Sequence, residues 1–195
     1  MEITWTETIL SLGVGVGLAA ATGLRVFVPL LVLGAAARIE WLPLAGGFEW
    51  LASGPALAAL ALAAVLEIGA YYVPLIDNAL DVLAGPLAVM AGILVTAAVT
   101  TDLPPMLRWS AAIVAGGGAA GIVQTVTSFA RLKSTAFTGG FGNFAVATIE
   151  LFGSFAASLI AILAPVVAII AVTGIVLLFL LASRGLSRKL KHGQP

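Results

Sequence analysis

The chain has 195 residues, of which 61% are hydrophobic and 9% charged, with a formal net charge of zero, no cysteine and one histidine. Soluble domains carry about 25% charged residues, so these figures and a mean hydropathy of +1.15 describe a membrane protein composition. The counts exclude disulfides and thiolate chemistry, leave only His192 in a charged tail for imidazole ligation of zinc or haem, and provide no positive excess for nucleic acid; no cofactor and no metal are expected.

Residues 8–38 form the first hydrophobic region, interrupted by Arg25 and Pro29. They make either one long kinked helix or two short helices folded back at "ATGLR". The amino terminus "MEITWTETIL" lacks the basic stretch of a cleavable signal and is expected to stay attached. "IEWLPLAGGFEWLASGP" reads as an interfacial loop, because tryptophan prefers the headgroup level. A helix follows from about Pro55 to Tyr72, ended by Pro74, and another from about Asn78 to Thr101.

After the polar break "TDLPPMLRW", a span runs from Trp109 to about Phe129. "ARLKSTAFTGGFGN" reads as a loop, with Asn143 as the cap of the next helix. Residues 144–183 divide near Ala164 and Pro165 into two helices, and a basic tail, 184–195, is placed in the cytoplasm. A crossing helix needs roughly 20 apolar residues, and these runs lack the alternation of barrel strands. The expected fold is an all-α polytopic transmembrane helical bundle of about six spans within residues 1–183. The count becomes five, with the amino terminus outside, if residues 8–38 form a re-entrant hairpin. With six spans and the tail inside, Arg131 and Lys133 also lie inside and Arg38, Glu40, Glu49, Asp102 and Arg108 outside, which satisfies the positive-inside rule at both internal basic clusters. Three spans on each side of the 102–108 break would allow an inverted repeat, although no matching motifs occur in corresponding order.

Arg25, Glu67 and Glu150 fall well inside expected spans. Each costs about 2.5–3.5 kcal/mol at a helix centre on insertion scales, so each should face protein or water and find a partner. Two acids and one base leave room for a proton, a bound cation or help from Arg131 or Lys133. Within "EIGAYYVPLIDNALD", Tyr71 lies one turn after Glu67 and can donate a hydrogen bond to it. Asp77 and Asp81 share a helix face, either as first-turn caps or as a carboxylate mouth leading to Glu67. Gln124 and its neighbouring hydroxyls add polarity to the fourth span, where interhelical hydrogen bonding is the usual role. The glycine-rich stretch before Glu150 is either a flexible connection or unwound backbone facing a ligand. Glycine pairs 13/17 and 117/121 indicate close helix packing and permit a homo-oligomer.

"GLRVFVPLLVLGAAARI", "EIGAYYVPLIDNALDVLAGPLAVMAG" and "STAFTGGFGNFAVATIE" together resemble the successive signatures of domain-of-unknown-function family 4126 over roughly residues 15–165. The most specific part is the pattern carried by Glu67, Pro74, Asp77 and Asp81. This chain has "AYY" where the family pattern often has Ala-Asp-Lys before the proline, and Gln124 near a position often held by histidine. The resemblance implies a polytopic membrane protein with an acidic, partly polar centre, and names no activity. No internal histidine is available for a Ser/His/Asp set, so an enzyme is not expected. Two functions remain. One is a channel or transporter for a small solute, cation or proton, with Arg25, Glu67, Tyr71, Asp77, Asp81, Gln124, Asn143 and Glu150 as pathway residues. The other is a scaffold that binds lipid or protein in the cytoplasmic membrane, where the charges only lock helices.

Overall fold

The computed structural model describes the backbone of residues 5–71 and 74–192 and the side chains of residues 5–71 and 83–181. Among these the chain is helical with no strand. In order come α1 (Trp5–Thr22), α2 (Phe27–Arg38), a 3-10 turn (Glu49–Ala52), α3 (Gly54–Ala70), α4 (Pro74–Val99), α5 (Pro105–Ala111), a π-helical segment (Ala112–Gly117), α6 (Gly118–Thr138), α7 (Asn143–Leu163) and α8 (Pro165–His192). α5, the π segment and α6 make one unbroken rod, Pro105–Thr138. This rod and α7 are long and apolar enough to cross a membrane; Phe27–Arg38, Gly54–Ala70, Leu83–Val99 and Pro165–Leu181 are shorter apolar helices.

Local chemistry explains the boundaries. Ser53 caps α3, its Oγ accepting from the Ala56 amide at 3.3 Å, with proline in the first turn. α7 and α8 part at Ala164 (φ −141°), where Pro165 cannot continue the ladder. The basic tail expected from residue 184 continues the backbone of α8.

The stretch 130–143, expected as a loop, is helical as far as Thr138. Its serine and threonines do not break the helix: the Thr138 hydroxyl bonds back to the Ser134 carbonyl at 2.7 Å. The turn is confined to the paired glycines, Gly139 (φ +63°) and Gly140 (φ +96°), whose left-handed backbone only glycine adopts freely. Asn143 is not the cap of α7. Gly142 holds that position, and the Asn143 amide nitrogen instead donates to Thr135 Oγ1 of α6 at 3.1 Å.

The first hydrophobic region takes its folded-back form. α1 runs antiparallel to α4: Thr96 Oγ1 donates to Gly15 O at 3.0 Å, and Thr22 Oγ1 to Ala88 O at 3.1 Å. α2 returns antiparallel to α3, with Val26 and Phe27 beside Glu67 and Gly34 close to Leu51 and Leu57. The loop after α2 is tied to the far end of α4 by the Ala45 amide on Ala98 O at 2.7 Å. Both outer ends of the hairpin therefore lie at the carboxyl end of α4, and its tip, residues 23–26, lies level with Ala88, about midway along that helix.

α7 lines the other side of α1, with Ser154 Oγ donating to Ala21 O at 3.0 Å. The interior is built from small residues, among them Ala19, Ala88, Ala98, Ala112 and Ala161, plus Leu18, Leu33, Leu51, Val95 and Val99. Small side chains let helices approach closely, which is where packing energy comes from when the surroundings are as apolar as the core. Gly17 sits against Ala161 and Ala168, and Gly117 and Gly121 against Val89 of α4, so both glycine motifs pack within the chain. The exterior is lined with exposed large apolar residues such as Leu62, Leu66, Phe152, Leu163 and Leu178.

Candidate functional site

The tip of the hairpin carries the chemistry. α1 ends because the chain turns at Gly23, where an added Cβ would lie 2.6 Å from Ala120 O and 2.7 Å from Val123 Cβ of α6. α2 then starts without any local side-chain cap. The first amides of a helix have no intrahelical acceptor, and burial without one costs about 1–3 kcal/mol each. Glu67, from the opposite helix α3, supplies it: Oε1 accepts from the Val26 amide at 2.8 Å and Oε2 from the Phe27 amide at 3.1 Å. Pro29, in the first turn of α2, contributes no amide and leaves no donor to satisfy.

Arg25 lies at the same tip and is 1% exposed. Its Nη2 donates to Ala147 O of α7 at 2.8 Å and stands 3.7 Å from Glu150 Oε2. Its Nε and Nη1 have no acceptor among the described residues. Glu150 is paired by Arg131 of α6, whose Nε donates to Oε1 at 3.1 Å and whose Nη2 donates to Oε2. Such a forked arrangement gives two charge-assisted bonds in fixed geometry. The Tyr71 ring gathers both cations, with the Arg25 guanidinium carbon 4.0 Å and that of Arg131 4.1 Å from its centroid. Cation–π contacts are worth about 2 kcal/mol when desolvated. A cavity of about 340 Å³ opens beside this cluster, lined by Phe27, Leu66, Glu67, Tyr71, Ala84 and Leu87 among others.

The structure thus brings together Arg25, Glu67, Tyr71 and Glu150 of the expected set. Asn143 joins α7 to α6 through Thr135. Gln124 stands apart, its Nε2 donating to Ser128 Oγ at 3.4 Å, on a separate cavity of about 400 Å³ with Thr125 and Ser128. The side chains of Asp77 and Asp81 lie outside the described residues. Among those residues no group of three His, Cys, Asp or Glu side chains could hold a metal.

Arg131, expected in a loop, is buried at 4% exposure in the centre of the cluster. A signal for it exists in the sequence. Thr127, Arg131 and Thr135 recur every four residues on one helix face, and they meet Gly23 O, Glu150 and Asn143 in turn. α7 has the matching face, with Asn143, Ala147, Glu150, Ser154, Ser158 and Ala161 all buried.

Chemically, among the described residues the cluster holds two cations and two carboxylates. One cation and one carboxylate are locked to each other. The remaining guanidinium has spare donors, and the remaining carboxylate sits on a helix amino end beside a cavity. Neither curated proteins nor solved structures include one that matches this chain. The family model described as "Domain of unknown function (DUF4126)" matches residues 12–184, which takes in the hairpin from residue 12 onward, α3 and every described residue of the charged cluster, and the chain belongs to that family.

Proposed function

We propose that this chain is a multi-pass protein of the cytoplasmic membrane that forms a channel or transporter for a small solute or ion, with the tip of the α1–α2 hairpin as its site. The observation that carries the reading is the hydrogen-bonded, charged break between α1 and α2, set inside an apolar bundle. Non-helical backbone at membrane depth is tolerated where it is enclosed by protein or lines a cavity, and half-helices ending at mid-depth are a recurrent way of building substrate sites. An apolar exterior around a polar interior supports the same reading.

In this proposal α3, α4, the α5–α6 rod, α7 and α8 are five spans and α1–α2 is a re-entrant hairpin. With the tail in the cytoplasm, both ends of the hairpin and Asp102 face outward, while Lys133 and the tail lysines and arginines face inward. The carboxylates act as occupied groups. A cation would have to displace two amides from Glu67 or a guanidinium from Glu150.

A scaffold role remains the second reading, and the fully engaged Arg131–Glu150 pair favours it, since such a pair serves to lock helices. Because the chain has no cysteine, single cysteines separate the two. For a pathway, cysteines at 63 and 67 on the cavity react with a membrane-impermeant thiol reagent while one at 88, in the packed core, stays protected. Protection at all three positions, together with no flux of cations, anions or neutral solutes through protein-containing vesicles, would overturn the transport reading.

A further inference from the structure

We propose that the amino end of α2 and the buried guanidinium of Arg25 form a site for a small monovalent anion, and that the Glu67 carboxylate is a tethered occupant of that site. The inference deepens the transport reading and rests on it for the pathway.

The first observation is what Glu67 touches. Two amide donors at the start of a 12-residue helix converge on its oxygens at 2.8 and 3.1 Å. This is the donor set and dipole end that bind free anions elsewhere. Glu67 belongs to α3 rather than to α2, so it reaches the amides through its own side chain and leaves them by changing rotamer. The cavity of about 340 Å³ adjoins it and provides the space.

The second observation is independent. Arg25 is 1% exposed, yet Nε and Nη1 have no acceptor among the described residues. A buried guanidinium that keeps two donors unmatched calls for an acceptor. Tyr71 joins the two donor sets: its ring lies 4.0 Å from the Arg25 guanidinium carbon and forms part of the same cavity wall as Glu67.

Charge selects the sign of the ligand. Among the described residues Glu150 is shared by Arg131 and Arg25, and Glu67 is the second carboxylate that balances the two guanidiniums. When Glu67 swings away, an incoming anion restores the balance at the amides. A cation there would add positive charge beside Arg25 and the positive end of α2. The size of the donor set, two amides and one guanidinium edge, suits a halide or an ion of similar radius.

The test uses the purified full chain with chloride and bromide as probes and gluconate at matched ionic strength as control. Glu67→Gln weakens the tethered occupant. It is expected to raise chloride efflux from phospholipid vesicles about tenfold, and to make the thermal midpoint in detergent climb with chloride or bromide, as ligand linkage requires. Adding Arg25→Lys to that variant keeps the charge, removes the unmatched donors and abolishes the climb. If Glu67→Gln does not fold, Glu67→Asp, whose shorter side chain retracts from the amides, is expected to show the same halide dependence. Equal midpoints in halide and gluconate for the Glu67 variant overturn the anion site, even if potassium or a neutral solute still crosses. A halide-dependent midpoint with no flux of any solute supports the site and overturns the transport reading instead.

Discussion

Replacing Arg131 with methionine isolates the energetic role of the cluster. The substitution keeps an unbranched chain of similar length and removes the charge. It takes from Glu150 the bond at 3.1 Å to Nε and the second bond to Nη2, and leaves only the Arg25 Nη2 group at 3.7 Å, beyond hydrogen-bonding reach. Glu150 is 4% exposed, so water cannot replace what was lost. Breaking a buried pair by deleting one partner costs about 3–5 kcal/mol, and the lost contact with the Tyr71 ring adds to this. Against a total stability of about 5–15 kcal/mol, this is a fifth or more of the folding free energy. Lys133, two residues along and exposed, provides the control: Lys133→Met should change stability by no more than about 0.5 kcal/mol. Denaturant or thermal unfolding in a mild detergent measures both. A loss below about 1 kcal/mol for Arg131→Met, or equal losses for the two variants, would refute the burial of this pair.

Three further outcomes follow from the packing. Gly23→Ala places a methyl group 2.6 Å from Ala120 O and 2.7 Å from Val123 Cβ, and should cost about 1–3 kcal/mol, whereas Gly46→Ala, which meets nothing within 4 Å, should leave the thermal midpoint nearly unchanged. Thr96→Val removes the donor to Gly15 O that ties α4 to α1, with an expected loss of about 0.6 kcal/mol by the same unfolding assay. Asn143→Ala cuts the α6–α7 tie to Thr135 and should lower stability by about 1 kcal/mol without altering helix content by circular dichroism.

Much of this architecture was legible because it is written in single residues. Pro165 after Ala164, and Ser53 before Gly54 and Pro55, mark their boundaries by local sterics and capping, whereas the turn at Gly139–Gly140 is narrower than the loop expected over 130–143. Arg25, Glu67 and Glu150 stood out because charge within an apolar run is costly wherever the run ends up. What could not be read locally was partnership. Whether 8–38 is one kinked helix or a hairpin depends on Gly15 and Thr22 meeting Thr96 and Ala88, contacts that a window around "ATGLR" does not contain. Arg131 was hidden because serine, threonine and lysine beside it resemble a solvated turn, and only the four-residue recurrence of Thr127, Arg131 and Thr135 marks one polar helix face, on which Arg131 is the buried member.

The hairpin and the charges explain each other. Two helices that end at the middle of a bundle leave unpaired amides and carbonyls where water is scarce, and a side chain from a neighbouring helix has to meet them. Glu67 meets the amides of α2. That carboxylate then requires nearby positive charge, which Arg25 supplies from the tip itself, while α7 holds Arg25 through Ala147 O. Arg25 and Arg131 together need Glu150, and the Tyr71 ring stabilises both cations without adding a competing charge. Among the described residues, removing any one of Arg25, Glu67, Arg131 and Glu150 leaves a buried group without its partner, so the cluster acts as a unit. The group free to leave at least cost is the one whose partners are neutral amides on another helix, and that is Glu67.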